Sequence, residues 1–238
     1  MRLSVLTWNV HKGLGLLGSR PAFRELAAAL AKSDSDLVCC QEVLQAVGRT
    51  PQDRVLAAAL AHHSRFTGHA KCARGIHGLA TFCDWPISRH NHEDISTNRF
   101  ERRAVLHVRV HPRVGETLHV FNVHFGLTRK QRKLQAERLA ALIAHCVKPE
   151  EPFIAMGDFN DWDKRIEQHL TQTIGAHNAL AHLHQSERRT FPVRRPLFAL
   201  DRIYYRGLEV VESNVLRGAP WTGLSDHLPL RAVFNLPR

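Results

Sequence analysis

The chain has 238 residues, of which 44% are hydrophobic, enough for one large α/β core or two small ones. We expect a single domain over residues 1–238, because no linker-like tract or internal repeat interrupts the sequence. The net charge of +11 favours polyanionic partners, nucleic acid first and an anionic phospholipid surface second. No window approaches the roughly 18 apolar residues of a transmembrane helix, and no secretory signal pattern is present.

The cysteines and histidines carry no metal-type spacing. Five cysteines, an odd number, predict reduced core thiols in a cytoplasmic protein. The 17 histidines are scattered, so we expect most of them to be surface or packed residues. A structural zinc centre is therefore not expected.

The first third of the chain predicts a strand-helix-strand unit. Residues 3–10 alternate and read as a strand ending at Asn9, residues 21–32 as a helix with Pro21 near its first turn, and residues 37–42 as a buried strand ending in Glu42. Such a unit brings both strand ends to one edge of a sheet, so Asn9 and Glu42 are expected side by side.

Capping signals predict the next helices. Thr50 opens a capping-box pattern that predicts a helix to about Ala61, and Thr128 with Gln131 opens a second that predicts a long helix to about Cys146. Between them lie four predicted strands: 64–70, 77–83, 103–110 and 117–125. The last two alternate plainly and are predicted to form an antiparallel hairpin.

An apolar run from Phe153 ends abruptly in Gly157, Asp158, Phe159 and Asn160, the pattern of a buried strand with a polar end. In an extended chain Asp158 and Asn160 share one face. A helix over 163–170, an irregular basic stretch over 185–197 and strands over 200–205 and 228–236 follow. Helices alternating with strands and hairpins predict an α/β fold, a sandwich of two mixed β-sheets flanked by helices.

Eight polar residues stand at or near the ends of apolar runs, and phosphodiester hydrolysis needs such a set. It requires a hard cation, an activated water and neutralisation of charge in the transition state. Glu42 is predicted as the principal ligand of Mg²⁺ or Mn²⁺, since carboxylate oxygens suit these ions. Asn9 can hold metal-bound water or a phosphate oxygen without adding repulsion. The eight are Asn9, Glu42, His124, Asp158, Asn160, Asp201, Asp226 and His227.

The segments that carry these residues occur in a recognisable order: Trp8-Asn9, Gln41-Glu42, Asn122-Val123-His124, Gly157-Asp158-Phe159-Asn160, Leu200-Asp201-Arg202-Ile203 and Ser225-Asp226-His227. In this order the chain resembles the endonuclease/exonuclease/phosphatase superfamily, particularly its small stand-alone bacterial members. The resemblance implies a deoxyribonuclease I-like (DNase I-like) four-layer fold.

The resemblance also implies roles. Asp226 would be a further carboxylate on the metal side, and His227 the catalytic histidine, oriented by Asp201. Asp158 would orient or deprotonate the attacking water, and Asn160 would donate to the phosphate.

His124 matches the second histidine of the deoxyribonuclease branch, where it helps to protonate the leaving oxygen. A histidine in a strand rich in Val and Phe can also be a packed residue. Glu101 is a candidate partner for His124.

Basic and aromatic residues suggest how a substrate would be held. Arg129, Lys130 and Lys133 crowd the first turn of the helix after His124, where cations oppose the helix dipole, so an anion is expected nearby. Arg103 and Arg189 are further candidates for substrate binding. Trp162 and Trp221 could stack on bases or on a lipid, or could be core residues.

These features predict a divalent-metal-dependent phosphodiesterase that acts on nucleic acid. The first alternative is the same chemistry on a phospholipid or small phosphoester, and a more remote one is a nucleic-acid-binding module without catalysis. Val43 and Leu44 follow Glu42 where apurinic-site endonucleases carry Thr and Lys, which argues against abasic-site repair.

Overall fold

The computed structural model describes residues 1–15 and 22–236. Its helices are α1 (Phe23–Ala31), α2 (Gln52–Leu60), α3 (Arg129–Cys146) and α4 (Arg165–Ile174). Its strands are β1 (Arg2–Asn9), β2 (Leu37–Ala46), β3 (His63–Cys72), β4 (Gly75–Cys83), β5 (Ile87–Asp94), β6 (Ala104–Val110), β7 (Leu118–His124), β8 (Phe153–Asp158), β9 (His177–Asn178), β10 (Asp201–Arg206), β11 (Glu209–Val215) and β12 (Leu230–Asn235). Short 3₁₀ turns span His11–Gly13 and Trp221–Gly223.

The strands form two six-stranded sheets, in the orders β11-β12-β1-β2-β4-β3 and β5-β6-β7-β8-β10-β9. In each sheet one central pair is parallel, β1 with β2 and β7 with β8, and the other described pairs are antiparallel. The predicted mixed sheets and the predicted hairpin of β6 and β7 are thus confirmed. The strand-helix-strand unit also places Asn9 beside Gln41, the neighbour of Glu42, as expected.

The core lies in three layers of apolar contact. Alternate residues of a strand point to opposite sides of its sheet, and β7 illustrates this: Val120 packs between the two sheets, whereas Phe121 packs under α3 and α4. A third cluster joins α1 and α2 to the outer side of the first sheet, with Leu26 and Phe82 among its members. The result is the predicted four-layer arrangement of helices, sheet, sheet and helices.

A buried polar bridge links the two sheets just below their polar edge. The Gln41 amide donates to Asn122 Oδ1 at 2.8 Å, and the Asn122 amide donates to the backbone oxygens of Ala80 at 2.9 Å and Cys40 at 3.2 Å. Buried amides need such partners. The bridge therefore fixes how the strands of one sheet stand relative to those of the other.

Two long strands, β5 and β11, were not predicted. β5 is mostly exposed and carries Arg89, His90, Asn91 and His92, so it lacks the apolar alternation that marks a strand. Both are edge strands, and charged or polar side chains suit such positions. Backbone pairing with β6 and β12 forms both strands.

Smaller differences concern helix starts and cysteines. The predicted capping box of Thr128 and Gln131 is present at α3. Helix α2 begins after Pro51 without a side-chain cap, so the prediction of a capping box at Thr50 was wrong. Pro21 lies outside the described residues. All five cysteines are free; three are buried as predicted, whereas Cys72 and Cys146 are only half-buried. No helix in the described part of the chain is long and apolar enough to cross a membrane.

Candidate active site

Three neighbouring strands of the second sheet bring His124, Asp158 and Asp201 together. In the register His124 stands beside Asp158 on the parallel neighbour β8, and Asp201 stands opposite Asp158 on β10. Gly157 makes this close approach possible, because its φ is +147° and a Cβ there would lie 2.1 Å from the Val123 carbonyl oxygen. The strand ends thus form one polar edge.

His227 completes a buried chain of charges at this edge. Its Nδ1 donates to Asp201 Oδ2 at 2.9 Å, while its Nε2 faces Asp158 Oδ2 at 3.8 Å. Burial disfavours the charged imidazole, but Asp201, with help from Asp158 and Asp226, outweighs this effect and raises the pKa of His227 to about 10. Burial also disfavours the charged form of Asp158, and it therefore raises the pKa of this carboxyl to about 6. The neighbouring charge of His227 opposes that rise. The arrangement holds a protonated imidazole against a carboxylate of weakened acidity.

Asn9 joins Asp158 to the first sheet. Its Nδ2 donates to Asp158 Oδ2 at 3.1 Å and faces Glu42 Oε1 at 3.5 Å, and its Oδ1 accepts from the His11 backbone N–H at 3.1 Å. Asn9 therefore spans the two carboxylates and separates their charges.

Glu42 projects from an irregularity in β2, where the register with β4 shifts between Cys40 and Val43. Its φ is +56°, a strained value for a residue with a side chain, and such outliers often mark functional positions. The Lys12 ammonium bonds to Glu42 Oε2. Burial acts to raise the Glu42 pKa, but Lys12 overcomes it and holds that pKa below its usual range.

Asp226 reaches the same side of the site from the loop before β12. Its Oδ1 lies 3.5 Å from His11 Nδ1 and 3.3 Å from Ser225 Oγ. Ser225 Oγ also contacts the Asn9 carbonyl oxygen at 2.7 Å, and Trp8 Nε1 donates to the His227 carbonyl oxygen at 2.9 Å. These bonds tie the loop to β1.

The oxygen donors of this side suit a divalent cation. Glu42 is ionised, Asp226 is a partly exposed carboxylate, and hard oxygen ligands are those that Mg²⁺ and Mn²⁺ prefer. In the described part of the chain, a closer group of possible ligands is Asp158, Asp201 and His227, whose ligand atoms all lie within 4.8 Å of one another. Since His227 Nδ1 is already bonded to Asp201, we regard that group as a charge chain and the Glu42 side as the better fit for a cation.

Two histidines that the sequence did not single out lie beside His124. The rings of His69 and His77 are 5.8 Å apart, and those of His69 and His124 are 6.4 Å apart. Burial lowers the pKa of His69 to about 3 and that of His77 to about 4, so both rings are neutral at pH 7. Burial, Arg103 and His69 lower the pKa of His124 as well. The sequence positions of His69 and His77 gave no signal, because only the pairing of β3 with β4 brings these two rings together.

His124 and Asn160 are held differently. His124 Nε2 lies 3.6 Å from Asp158 Oδ2. The expected partner Glu101 instead pairs with Arg103 at 2.8 Å, so that prediction was wrong. Asn160 has a φ of +48°; its Nδ2 donates to the Phe125 carbonyl oxygen at 2.9 Å and its backbone N–H to Asp158 Oδ1 at 3.0 Å.

An aromatic wall borders His227. Trp162 is 39% exposed, and its ring lies 4.7 Å from Phe198 and 6.3 Å from Phe191. The Phe191 ring is 4.8 Å from His227. Trp162 is thus not a core residue, whereas Trp221 packs edge-on against buried Trp8 at 5.3 Å.

The predicted basic residues are placed unevenly. Arg129 and Lys133 line an open groove of about 700 Å³ between α3 and α4, and Arg129 lies 3.7 Å from Asp163. Lys130 is exposed on the same turn. Arg103 is committed to Glu101 and to the Phe125 carbonyl oxygen. Arg189 lies in the irregular loop before β10, where its backbone oxygen accepts from Arg217.

Sequence comparison identifies the family. The family model described as endonuclease/exonuclease/phosphatase matches residues 6–227. The Escherichia coli (strain K12) protein YbhP is 34% identical over 243 residues, covering 98% of this chain and 96% of the relative. The chain belongs to the endonuclease/exonuclease/phosphatase family, which is generally one of hydrolytic phosphoesterases.

Solved structures confirm the fold. An endonuclease/exonuclease/phosphatase from Beutenbergia cavernae superposes with a TM-score of 0.83 at 17% identity, over 99% of this chain and 72% of that chain. One from Bacteroides vulgatus gives 0.80 at 19% identity over 100% of both chains. Humanized TDP2 of D. rerio gives 0.74 at 19% identity, over 98% of this chain and 99% of that one. The predicted DNase I-like fold is therefore confirmed.

Proposed function

We propose that this protein is a divalent-metal-dependent phosphodiesterase whose substrate is nucleic acid. The observation that supports it best is the single edge at which a protonated histidine, a carboxylate of raised pKa and an ionised glutamate meet, namely His227, Asp158 and Glu42. In-line attack on a phosphodiester needs a base, a positive group and a cation site in that proximity.

In the proposed reaction each residue has one task. Glu42, with Asp226 and Asn9, would hold Mg²⁺ or Mn²⁺, which when bound neutralises phosphate charge and acidifies water. Asp158 accepts the proton of the attacking water. The His227 imidazolium, oriented by Asp201, donates to a phosphate oxygen as negative charge develops there.

Asn160 and His124 act on the phosphate and the leaving oxygen. One of the two N–H groups of the Asn160 amide is bonded to Phe125, and the other can donate to a phosphate oxygen. The lowered pKa of His124 makes its ring neutral at pH 7. His124 therefore contributes a hydrogen bond to the leaving oxygen rather than a proton from an imidazolium.

Nucleic acid is favoured over other phosphoesters by two surfaces beside the site. The aromatic wall of Trp162, Phe191 and Phe198 offers flat rings for a base next to the reacting phosphate. The groove with Arg129 and Lys133 offers cations to the adjoining backbone.

The test is hydrolysis by the purified protein with Mg²⁺ or Mn²⁺. The substrates are plasmid DNA, single-stranded DNA, RNA, anionic phospholipid vesicles and bis-p-nitrophenyl phosphate. Glu42→Gln should abolish cleavage, and Glu209→Gln, on the edge strand β11, should not change it. Cleavage of nucleic acid that is lost in Glu42→Gln and in chelator is the expected result.

Two outcomes would redirect the proposal. Hydrolysis of only vesicles or the small ester would favour the second candidate, a phosphodiesterase of lipids or small phosphoesters. The exposed side chains of Phe100 and Leu127 also favour this candidate. Binding of nucleic acid without hydrolysis of any substrate would leave a binding module.

A further inference from the structure

An exposed apolar surface lies at the same edge as the site. Phe100 is 84% exposed, Leu127 58% and Leu134 38%. Phe100 lies in the loop 95–103 between β5 and β6. Because β6 runs antiparallel to β7, this loop is at the edge where β7 ends in His124. We call these three residues with loop 95–103 the apolar patch.

Hydrogen bonds hold the patch in shape. Asn98 Oδ1 accepts from the backbone N–H groups of Phe100 and Glu101, both at 2.8 Å. Glu101 accepts from the Leu127 N–H at 3.3 Å and from the Gln131 amide, which joins the loop to the start of α3. Phe100 is therefore displayed by an ordered loop.

Further bonds anchor the base of the loop. The Arg103 backbone N–H donates to Ser96 Oγ at 2.9 Å, and the Ser96 hydroxyl donates to the Arg103 carbonyl oxygen at 3.2 Å. Arg138, one turn beyond Leu134 on α3, donates to the Ser96 carbonyl oxygen at 3.0 Å. The loop and the face of α3 with Leu134 thus form one surface.

Cations surround the patch. Arg99 lies over the Phe100 ring at 4.8 Å, and Arg102, Lys130 and Arg138 are exposed around it. Arg102 faces Asp94 at 3.4 Å, and Glu101 is occupied by Arg103. The patch therefore combines an apolar centre with a positive rim.

This combination suits an anionic bilayer. Aromatic and aliphatic side chains gain by entering the boundary between headgroups and acyl chains, and nearby cations are drawn to acidic lipids. Long Arg side chains can keep their charges at the headgroups while their stems lie along the apolar surface. A nucleic-acid strand would use the cations but would gain little from Leu127 and Leu134, which have no flat π-face.

We propose that the apolar patch docks this protein onto membranes that contain anionic phospholipid, with Phe100 entering the headgroup region. The docking does not depend on which phosphodiester is hydrolysed, so it can be tested without any substrate.

The experiment is co-sedimentation of the whole protein with phosphatidylcholine vesicles, with or without phosphatidylglycerol. The wild type should bind only the anionic vesicles. Phe100→Ser with Leu127→Ser should lower the partition coefficient at least about tenfold, because two large apolar side chains no longer enter the bilayer. Phe100→Trp should retain binding.

Val114→Ser is the matched control. Val114 is 106% exposed in the turn between β6 and β7, at the opposite end of these strands from His124. Its binding should equal that of the wild type, and circular dichroism should show the same melting curve for all variants. Wild-type indifference to anionic vesicles would overturn the proposal, as would equal binding by the double variant. A double variant that binds vesicles normally but loses single-stranded DNA would assign the patch to nucleic acid instead.

Discussion

At the scale of single residues, the protonation state of each group in the site depends on the charges of its neighbours. Asp201 bonds to His227 Nδ1 and is the strongest influence that keeps the buried imidazole protonated. A raised histidine pKa also stabilises the fold: the contribution is complete below the unfolded pKa of about 6.5 and is lost as pH rises through the folded value.

Removing the Asp201 charge should therefore release the His227 proton. In Asp201→Asn we expect the His227 pKa to fall from about 10 to below neutrality, because burial then acts without its main opponent. NMR titration of the metal-free protein would measure it. Wild-type His227 should stay charged through neutral pH, and an unchanged titration in the variant would contradict this assignment.

Lys12 lies on the side of the site where a divalent cation would bind. Its ammonium bonds to the Glu42 oxygen that a divalent cation would also use. Lys12→Met should tighten Mn²⁺ binding by roughly tenfold, since one competing charge-assisted hydrogen bond is gone. Isothermal titration would show this, with exposed Lys71→Met as the control. Weaker binding in Lys12→Met would mean that Lys12 supports the cation site instead of competing for it.

Sequence motifs located the polar residues of the site but not their supporting partners. Asn9, Asp158 and Asp201 could be proposed because each ends an apolar run. Lys12 and His69 could not, because Lys12 reaches Glu42 only through the 3₁₀ turn after β1 and His69 reaches His124 only across two sheets. The positive φ of Glu42 comes from a bulge that no local pattern announces.

At the scale of elements, the two helices α3 and α2 differ in that only α3 begins with a side-chain cap. Thr128→Ala removes an observed capping box at α3 and should lower the free energy of unfolding by about 1 kcal/mol. Thr50→Ala is the matched control, because α2 has no side-chain cap, and it should change stability by only a few tenths of a kcal/mol. Urea unfolding of both variants decides the point. Equal losses would show that the two threonines act by some other means.

Elements with apolar periodicity were predictable and polar edge strands were not. The run that begins at Phe153 is buried along its whole length as β8, and its pattern showed it. β5 owes its existence to pairing with β6 across a loop that the sequence does not mark. Local patterns report burial, whereas backbone pairing at an exposed edge leaves little trace in side chains.

At the scale of the whole molecule, several buried histidines are neutral. Burial lowers the pKa of His107 to about 4, and it also lowers the pKa values of His69, His77, His119 and His124. The folded state then binds fewer protons than the unfolded chain, so the fold should lose stability as pH falls below about 6.5.

His107 gives a way to test this away from the site. It is hydrogen-bonded to His119 at 3.0 Å, near the opposite end of β7 from His124. His107→Gln should reduce the loss of unfolding free energy between about pH 7.5 and about pH 5 by about 1–2 kcal/mol, because one titrating group is absent. Chemical denaturation at both pH values would measure the difference. An unchanged pH dependence would exclude His107 as a contributor.

The bonds from Trp8 to the His227 backbone and from Ser225 to the Asn9 backbone join segments more than two hundred residues apart in sequence. The β12 strand that follows His227 lies between β1 and β11. During synthesis β1 can pair early with β2, but its other neighbour, β12, is made more than two hundred residues later. The site therefore cannot assemble before His227 and β12 have been made, so any hydrolytic capacity depends on that segment as much as on β1.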